Sequence, residues 1–400
     1  MRVLVLVLAV ILATVVAAWF IAATTASSTL EKLDQETWPA GLGTLASVEG
    51  RVQRHTTNDA ARQLTALAKP LQISFEMPSK SAPLPINTAI VDYLKAEHVR
   101  AEATIGAAPA VVVAYLAKHE QELDAVRDHL LRAERIEWQL EPSKWVDAPI
   151  PNLLGHMHLA RLLTARALHY AHTNDVRAWD DLHAAWRLAR SLEPRPETIS
   201  QLIFLAVARS VNATAWKLPQ PAPSWFGEVQ NVDHRQLMLR AHQHETWLIV
   251  QHSANAVEGI RDVLAKPYLQ WATIDFTHHQ RDTAEQIAAA TACTFDGAAF
   301  AQQRYAAIPR WNVPARIVTP NIGTAWQRMF RTIPEREATA NAMRIAQGQP
   351  IVTKSTCSDG AWTYANGRLS FSRDLPKASP VDNALPLSLA IPARATRQST

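Results

Sequence analysis

The chain has 400 residues, 48% hydrophobic and 19% charged, a composition that excludes a disordered polymer and leaves room for two domains or one extended helical array. Its 40 basic and 36 acidic side chains leave a formal charge of +4 and are interspersed, so no basic stripe marks the chain for nucleic acid. Thirteen tryptophans fall mostly in helix-like or proline-flanked segments, where a large amphipathic ring seals helix–helix contacts. The excess of arginine over lysine and the abundant alanine point to a bacterial genome rich in G and C.

Residues 3–23 are uncharged and mostly apolar, and Arg2 precedes them. At about 1.5 Å per residue this run makes a helix of roughly 30 Å, the thickness of a bilayer's hydrocarbon core. Residues 1–26 are therefore expected to be a membrane anchor. Thr24 and Ala26 supply the small residues of a cleavage site, so a signal peptide is the alternative. The positive charge lies before the run, and Glu31, Asp34 and Glu36 follow it, which predicts a cytoplasmic amino terminus and a single pass through the inner membrane. The bulk of the chain is then periplasmic. In that oxidising compartment Cys293 and Cys357 are expected to pair, closing a loop of about 64 residues worth on the order of 4 kcal/mol in the chain-entropy model. Two buried free thiols are the alternative.

The exported part reads as mainly α, a multi-helix domain built of helical hairpins in a solenoid-like way with a small carboxy-terminal β-hairpin. Residues 27–86 make a linker and one short helix capped by Asn58, followed by Pro70, Pro78, Pro83 and Pro85. Residues 87–218 make the first part of the helical domain. Its segments are 88–103, about 109–140, 153–172, 176–192 and 197–217. The tight Thr173-Asn174-Asp175 turn joins two of these into a helical hairpin, with Trp179, Leu182, Trp186 and Ala189 on one stripe. This unit resembles a tetratricopeptide hairpin in its small and aromatic positions and closing Pro194. About three extra residues before that proline, and no copy at a 34-residue period, separate it from that family.

Pro219, Pro221 and Pro223 make a linker, and residues 224–375 form the second part. A long helix from 233 is expected to end at Pro267, another to cover 281–292, and 295–320 to be partly irregular. Asn321 would cap a helix bent at Pro334 and closed by Gly348. Residues 362–364 and 369–371 alternate apolar and polar across Asn366-Gly367, a strong hairpin signal that puts Trp362, Tyr364, Leu369 and Phe371 on one face. Residues 376–400 read as a flexible tail.

Fifteen histidines raise the question of a metal. His169 and His172, three apart on one helix face, are the candidates that chelate locally, with His183 and Asp180 on the partner helix to complete the set. Solvated or hydrogen-bonded histidines are the other reading, and the expectation is no metal and no cofactor. His244-Glu245 opens like a zinc-protease motif, but Leu248 stands where the second histidine belongs. No Gly-x-Ser-x-Gly elbow, phosphate loop or Cys-x-x-Cys pair occurs, so no catalytic residue is assigned.

Three functions fit these features. One is a membrane-anchored, non-catalytic envelope scaffold that contacts the bilayer through its amino-terminal helix and another envelope protein or itself. The second is an anchored hydrolase with a histidine–carboxylate metal site. The third is a lipid or small-ligand binder with a pocket between helices.

Overall fold

The structure, a computed structural model, describes residues 2–52, 54–77, 86–141, 144, 147–255, 260–291, 293–319, 322–357, 360–375 and 384–391. In chain order the elements are α1 (Arg2–Gln35), β1 (Thr37–Trp38), β2 (Gly43–Thr44), α2 (Ala46–Arg51), α3 (Asp59–Ala68), α4 (Asn87–Val99), α5 (Ala110–Lys118), α6 (Glu120–Arg132), α7 (Leu153–His172) and α8 (Ala178–Arg190). They continue with α9 (Thr198–Ala215), α10 (Phe226–Asn231), α11 (His234–Asn255), α12 (Ile260–Ala289), α13 (Gly297–Ala307), α14 (Val313–Val318), α15 (Gly323–Ala346), β3 (Trp362–Ala365), β4 (Arg368–Phe371) and β5 (Ser388–Ala390). The chain is mainly helical, as its periodicity predicts, and divides into two compact units.

Unit 1 comprises Met1–Gln53, Met238–Ala290 and Ala298–Gly323. Helix α1 is long and apolar enough to cross a membrane, and it continues as helix beyond the apolar run. Its second half packs in parallel along α12. Trp19 Nε1 donates to the Leu264 carbonyl (3.2 Å), Gln270 Nε2 donates to Ser27 Oγ (2.9 Å), and Arg281 pairs with Glu36. Ala26 and Leu33 bury themselves against Ile274. This packing explains why Pro267 fails to end its helix as expected. A proline inside a helix removes one backbone bond at a cost of about 3 kcal/mol, and the buried Pro267 lies where α12 runs along α1. Asn312 caps α14 through the Ala315 amide (3.0 Å) and donates to the Ala272 carbonyl and to Asp275 of α12 (both 2.8 Å), so part of the stretch read as irregular is a short docked helix.

Unit 2 comprises Arg54–Leu237, Thr291–Gly297 and Thr324–Thr400. The α7–α8 hairpin forms its centre, packed on α6 and α9, with α3 and α4 outside. Asn58 caps α3 as read, its side chain accepting from the Ala61 amide (2.9 Å). Trp138, Trp179 and Trp186 are buried, and each indole donor finds a protein acceptor: Ser191 Oγ (3.0 Å), the Pro219 carbonyl (2.7 Å) and Glu228 (3.3 Å). The pattern over 109–140 divides into α5 and α6 at His119, and helix stops at Arg132. Pro334 lies inside α15 without ending it, and Gly348 (φ +73°) closes that helix.

The expected hairpin is present. Trp362 pairs with Phe371 and Tyr364 with Leu369, and Asn366 and Gly367 both take the left-handed conformation that a tight two-residue turn requires. A third strand, β5, pairs with β4, so one segment of the stretch read as a flexible tail is structured. Leu369 and Leu389 bury against Ala338, Ala342 and Ile345 of α15. Cys293 and Cys357 are joined, with Cα atoms 5.5 Å apart. Asn321, Pro78, Pro83, Pro85 and the tail residues 376–383 and 392–400 lie outside the described residues.

Candidate functional site

The four metal candidates are not gathered. His172 bonds through Nδ1 to the Ile105 carbonyl (2.9 Å), and Asp180 is exposed. His183 stacks flat on Trp225 at 4.4 Å, and its pKa is pushed down to about 4 by burial, with Arg187 adding to the effect. His169 is half-exposed beside the Tyr170 ring. Among the described residues no group of three or more His, Cys, Asp or Glu is placed to hold an ion.

A cavity of about 340 Å³ in unit 2 has a different character. Four helices line it. Leu94 and His98 come from α4, Met157 and Arg161 from α7, Leu202, Leu205 and Arg209 from α9, Arg328 and Glu335 from α15, and Leu385 closes it. Helices α4, α7 and α9 supply most of the apolar lining, and α15 adds Ala325 beside its two charged groups. Glu335 is fully engaged: Arg209 grips both its oxygens (2.8 Å each), and Arg331 Nε reaches Oε1 (3.2 Å). His98 is buried and held by Thr214 Oγ1 (3.0 Å). Burial, helped by Lys217 and Arg209, pushes its pKa down to about 3, so it is neutral at pH 7.

Arg161 and Arg328 are the unusual members. Both are half-buried, and neither makes a hydrogen bond or ion pair among the described residues. Arg328 Nε is itself buried with no acceptor, and burial lowers the pKa of Arg161 with no acid beside it to offset the effect. The lining therefore carries three guanidinium groups against one carboxylate on otherwise largely apolar walls. A buried donor without an acceptor costs about 1–3 kcal/mol, more when charged, so this arrangement is favourable when an anion fills it.

Unit 1 has a second cavity, of about 420 Å³, lined by His242, His279, Gln280, Arg304 and Tyr305 among others. Its arginine is already occupied. Arg304 Nε donates to Thr283 Oγ1 (2.9 Å), and Nη2 donates to the His279 carbonyl (2.5 Å) and to His279 Nδ1 (3.0 Å). These bonds latch α13 onto α12. Because arginine only donates, His279 carries its proton on Nε2, which has no partner. One orphan imidazole N–H is a weaker demand for a ligand than two unpaired guanidinium groups.

None of Arg161, Arg209, Arg328 and Glu335 stood out in the sequence. Arg161 and Arg328 have no acid three or four residues away on their own helices, but the paired Arg209 has none either, so local spacing does not single them out. No family model, curated protein or solved structure matches this chain, so its function is argued from the geometry of the cavity.

Proposed function

We propose that this chain is a membrane-anchored, non-catalytic binding protein of the bacterial envelope whose unit 2 cavity takes an amphipathic anion, a carboxylate or phosphate on an apolar body. The observation that carries the reading is the pair of unpartnered guanidinium groups, Arg161 and Arg328, on apolar cavity walls. Arginine suits this task because its planar fork matches carboxylate and phosphate oxygens, while the leucines and Met157 cover the ligand's tail.

Retention of the anchor is supported by the depth to which α1 enters unit 1. A cut after Ala26 would remove a fully buried residue and the Trp19 bond to α12. The charge bias around the apolar run and the Cys293–Cys357 bond support a cytoplasmic amino terminus with the bulk outside. The hydrolase reading has no comparable support. Among the described residues the histidine–hydroxyl pair at the cavity, His98 with Thr214, has its hydroxyl fully buried and outside the lining. Contacts with another envelope protein or self-association are compatible with this reading.

Calorimetric titration of the full chain in nanodiscs with octanoate and with octanol tests the proposal. The carboxylate is expected to bind at one site and the alcohol of equal length at least about tenfold more weakly, a difference of about 1.4 kcal/mol. Equal affinity for both, or no saturable binding of octanoate, would reject a cationic ligand site.

A further inference from the structure

Unit 1 exposes large apolar side chains close to the point where α1 leaves its apolar run. Leu264 is 70% exposed, Trp311 49%, Val313 52%, and Tyr268 and Trp271 are also exposed. Such residues on a soluble surface mark an interaction site when they cluster, and three of these five are aromatic with polar edges. The cluster is held in shape. Tyr268 and Trp311 meet edge to face at 6.3 Å, and Tyr268 Oη donates to the Trp311 carbonyl (2.9 Å).

The level of this cluster along α1 follows from the parallel packing. Trp19 is bonded to Leu264 and Ser27 to Gln270, so α1 and α12 advance together. The apolar run ends at Ala23. At about 1.5 Å per residue Leu264 lies roughly 6 Å inside that end, Tyr268 level with it and Trp271 about 5 Å beyond. The headgroup region of one leaflet is on the order of 5–7 Å thick. Leu264 therefore falls inside the hydrocarbon, Tyr268 and the Trp311 held to it fall at its edge, and Trp271 falls among the headgroups. Tryptophan and tyrosine concentrate at that depth in membrane proteins. The exposed Arg310 and half-buried Lys266 beside them supply cations for anionic headgroups.

We infer that the Leu264–Tyr268–Trp311 face of unit 1 is seated in the outer bilayer interface, so that unit 1 is held to the membrane by this face as well as by α1. The occupant is lipid because the face continues the surface of the spanning helix at the same depth. The inference is independent of the unit 2 cavity and rests on α1 as a span.

Single nitroxide labels test it, introduced by Leu264→Cys, Trp311→Cys and Glu285→Cys in the full chain. The first two sites are exposed, so the core is untouched, and Glu285 is an exposed residue near the far end of α12. The chain is reconstituted into vesicles of phosphatidylethanolamine and phosphatidylglycerol, and its carbonate-resistant pelleting is checked before spectra are taken. Labels at Leu264 and Trp311 are expected to show an oxygen-to-nickel-chelate accessibility ratio several-fold above that at Glu285. Three results overturn the inference. Equal ratios at all three sites place the face in water, and low accessibility to both reagents places it against protein, as in a second copy of the chain. A chain washed out of the pellet means that α1 is no span, a failure distinct from the other two.

Discussion

Arg166 and Arg161 stand five residues apart on α7, about 140° around the helix, and their surroundings are opposite. Arg166 points between helices, is 1% exposed, and is gripped by Asp181 of α8 (Nε to Oδ2, 2.7 Å) and by Asp124 of α6 (3.0 Å). Elsewhere in unit 2 Lys217 likewise reaches Glu97 (3.2 Å) with both groups buried. Arg161 instead lines the cavity with no acid beside it, as does Arg328. Arg166 and Lys217 serve the fold, and each is paired with an acid. Arg161 and Arg328 have no such partner, and that difference points to a ligand.

The comparison breaks first at the paired end. Asp181→Asn leaves Arg166 with Asp124 alone and is expected to cost about 3–5 kcal/mol, as for other buried pairs that lose one partner, read as a fall in the urea midpoint. A loss under about 1 kcal/mol would mean that the pair is not what holds α7 to α8. Cys357→Ser is next, with a loss of about 2–4 kcal/mol from opening the 64-residue loop and one alkylatable thiol at Cys293. The hairpin should persist in that variant, because β5 and α15 also hold it.

Acidification follows. His98, His156 and His234 are buried in unit 2, with pKa values pushed down to about 3, 4 and 3 by burial. Their ordinary value is 6.5, so below that pH the unfolded chain binds protons that the folded chain refuses. Stability is therefore full above pH 6.5 and falls as the pH drops toward 4, by on the order of 1 kcal/mol per unit for each histidine. His156→Gln, at a ring packed edge-on against Phe75 and Trp138, should make urea midpoints less steep with pH between 6.5 and 4.5. An unchanged slope would show that this histidine is protonated in the folded state.

Much of the fold is legible because it is written locally. The α7–α8 turn, the Asn58 cap and the Asn366-Gly367 hairpin each depend on residues a few positions apart. Pro267 misleads because a local rule meets a long-range contact: the helix it should end is packed along α1, more than 200 residues earlier in sequence. The cavity is illegible for a related reason. Arg161, Arg166, Arg209 and Arg328 all lack an acid three or four residues away on their own helices. Arg166 and Arg209 find Asp181 and Glu335 across the fold, whereas Arg161 and Arg328 find none. Only tertiary structure separates the two kinds.

The smallest expected change in stability is the most informative. Urea unfolding of the wild type and of the Arg161→Met/Arg328→Met double variant, each with and without octanoate, reads the fold and the ligand together. A ligand that binds only the folded state raises its stability by about 2.7 kcal/mol at a hundred times its dissociation constant. The account predicts that without ligand the variant unfolds within about 0.5 kcal/mol of the wild type or later, since half-buried unpaired cations contribute little to the fold. It also predicts that octanoate raises the midpoint of the wild type and leaves that of the variant unmoved. A variant that loses stability as Asp181→Asn does, or that octanoate protects as well as it protects the wild type, would contradict it.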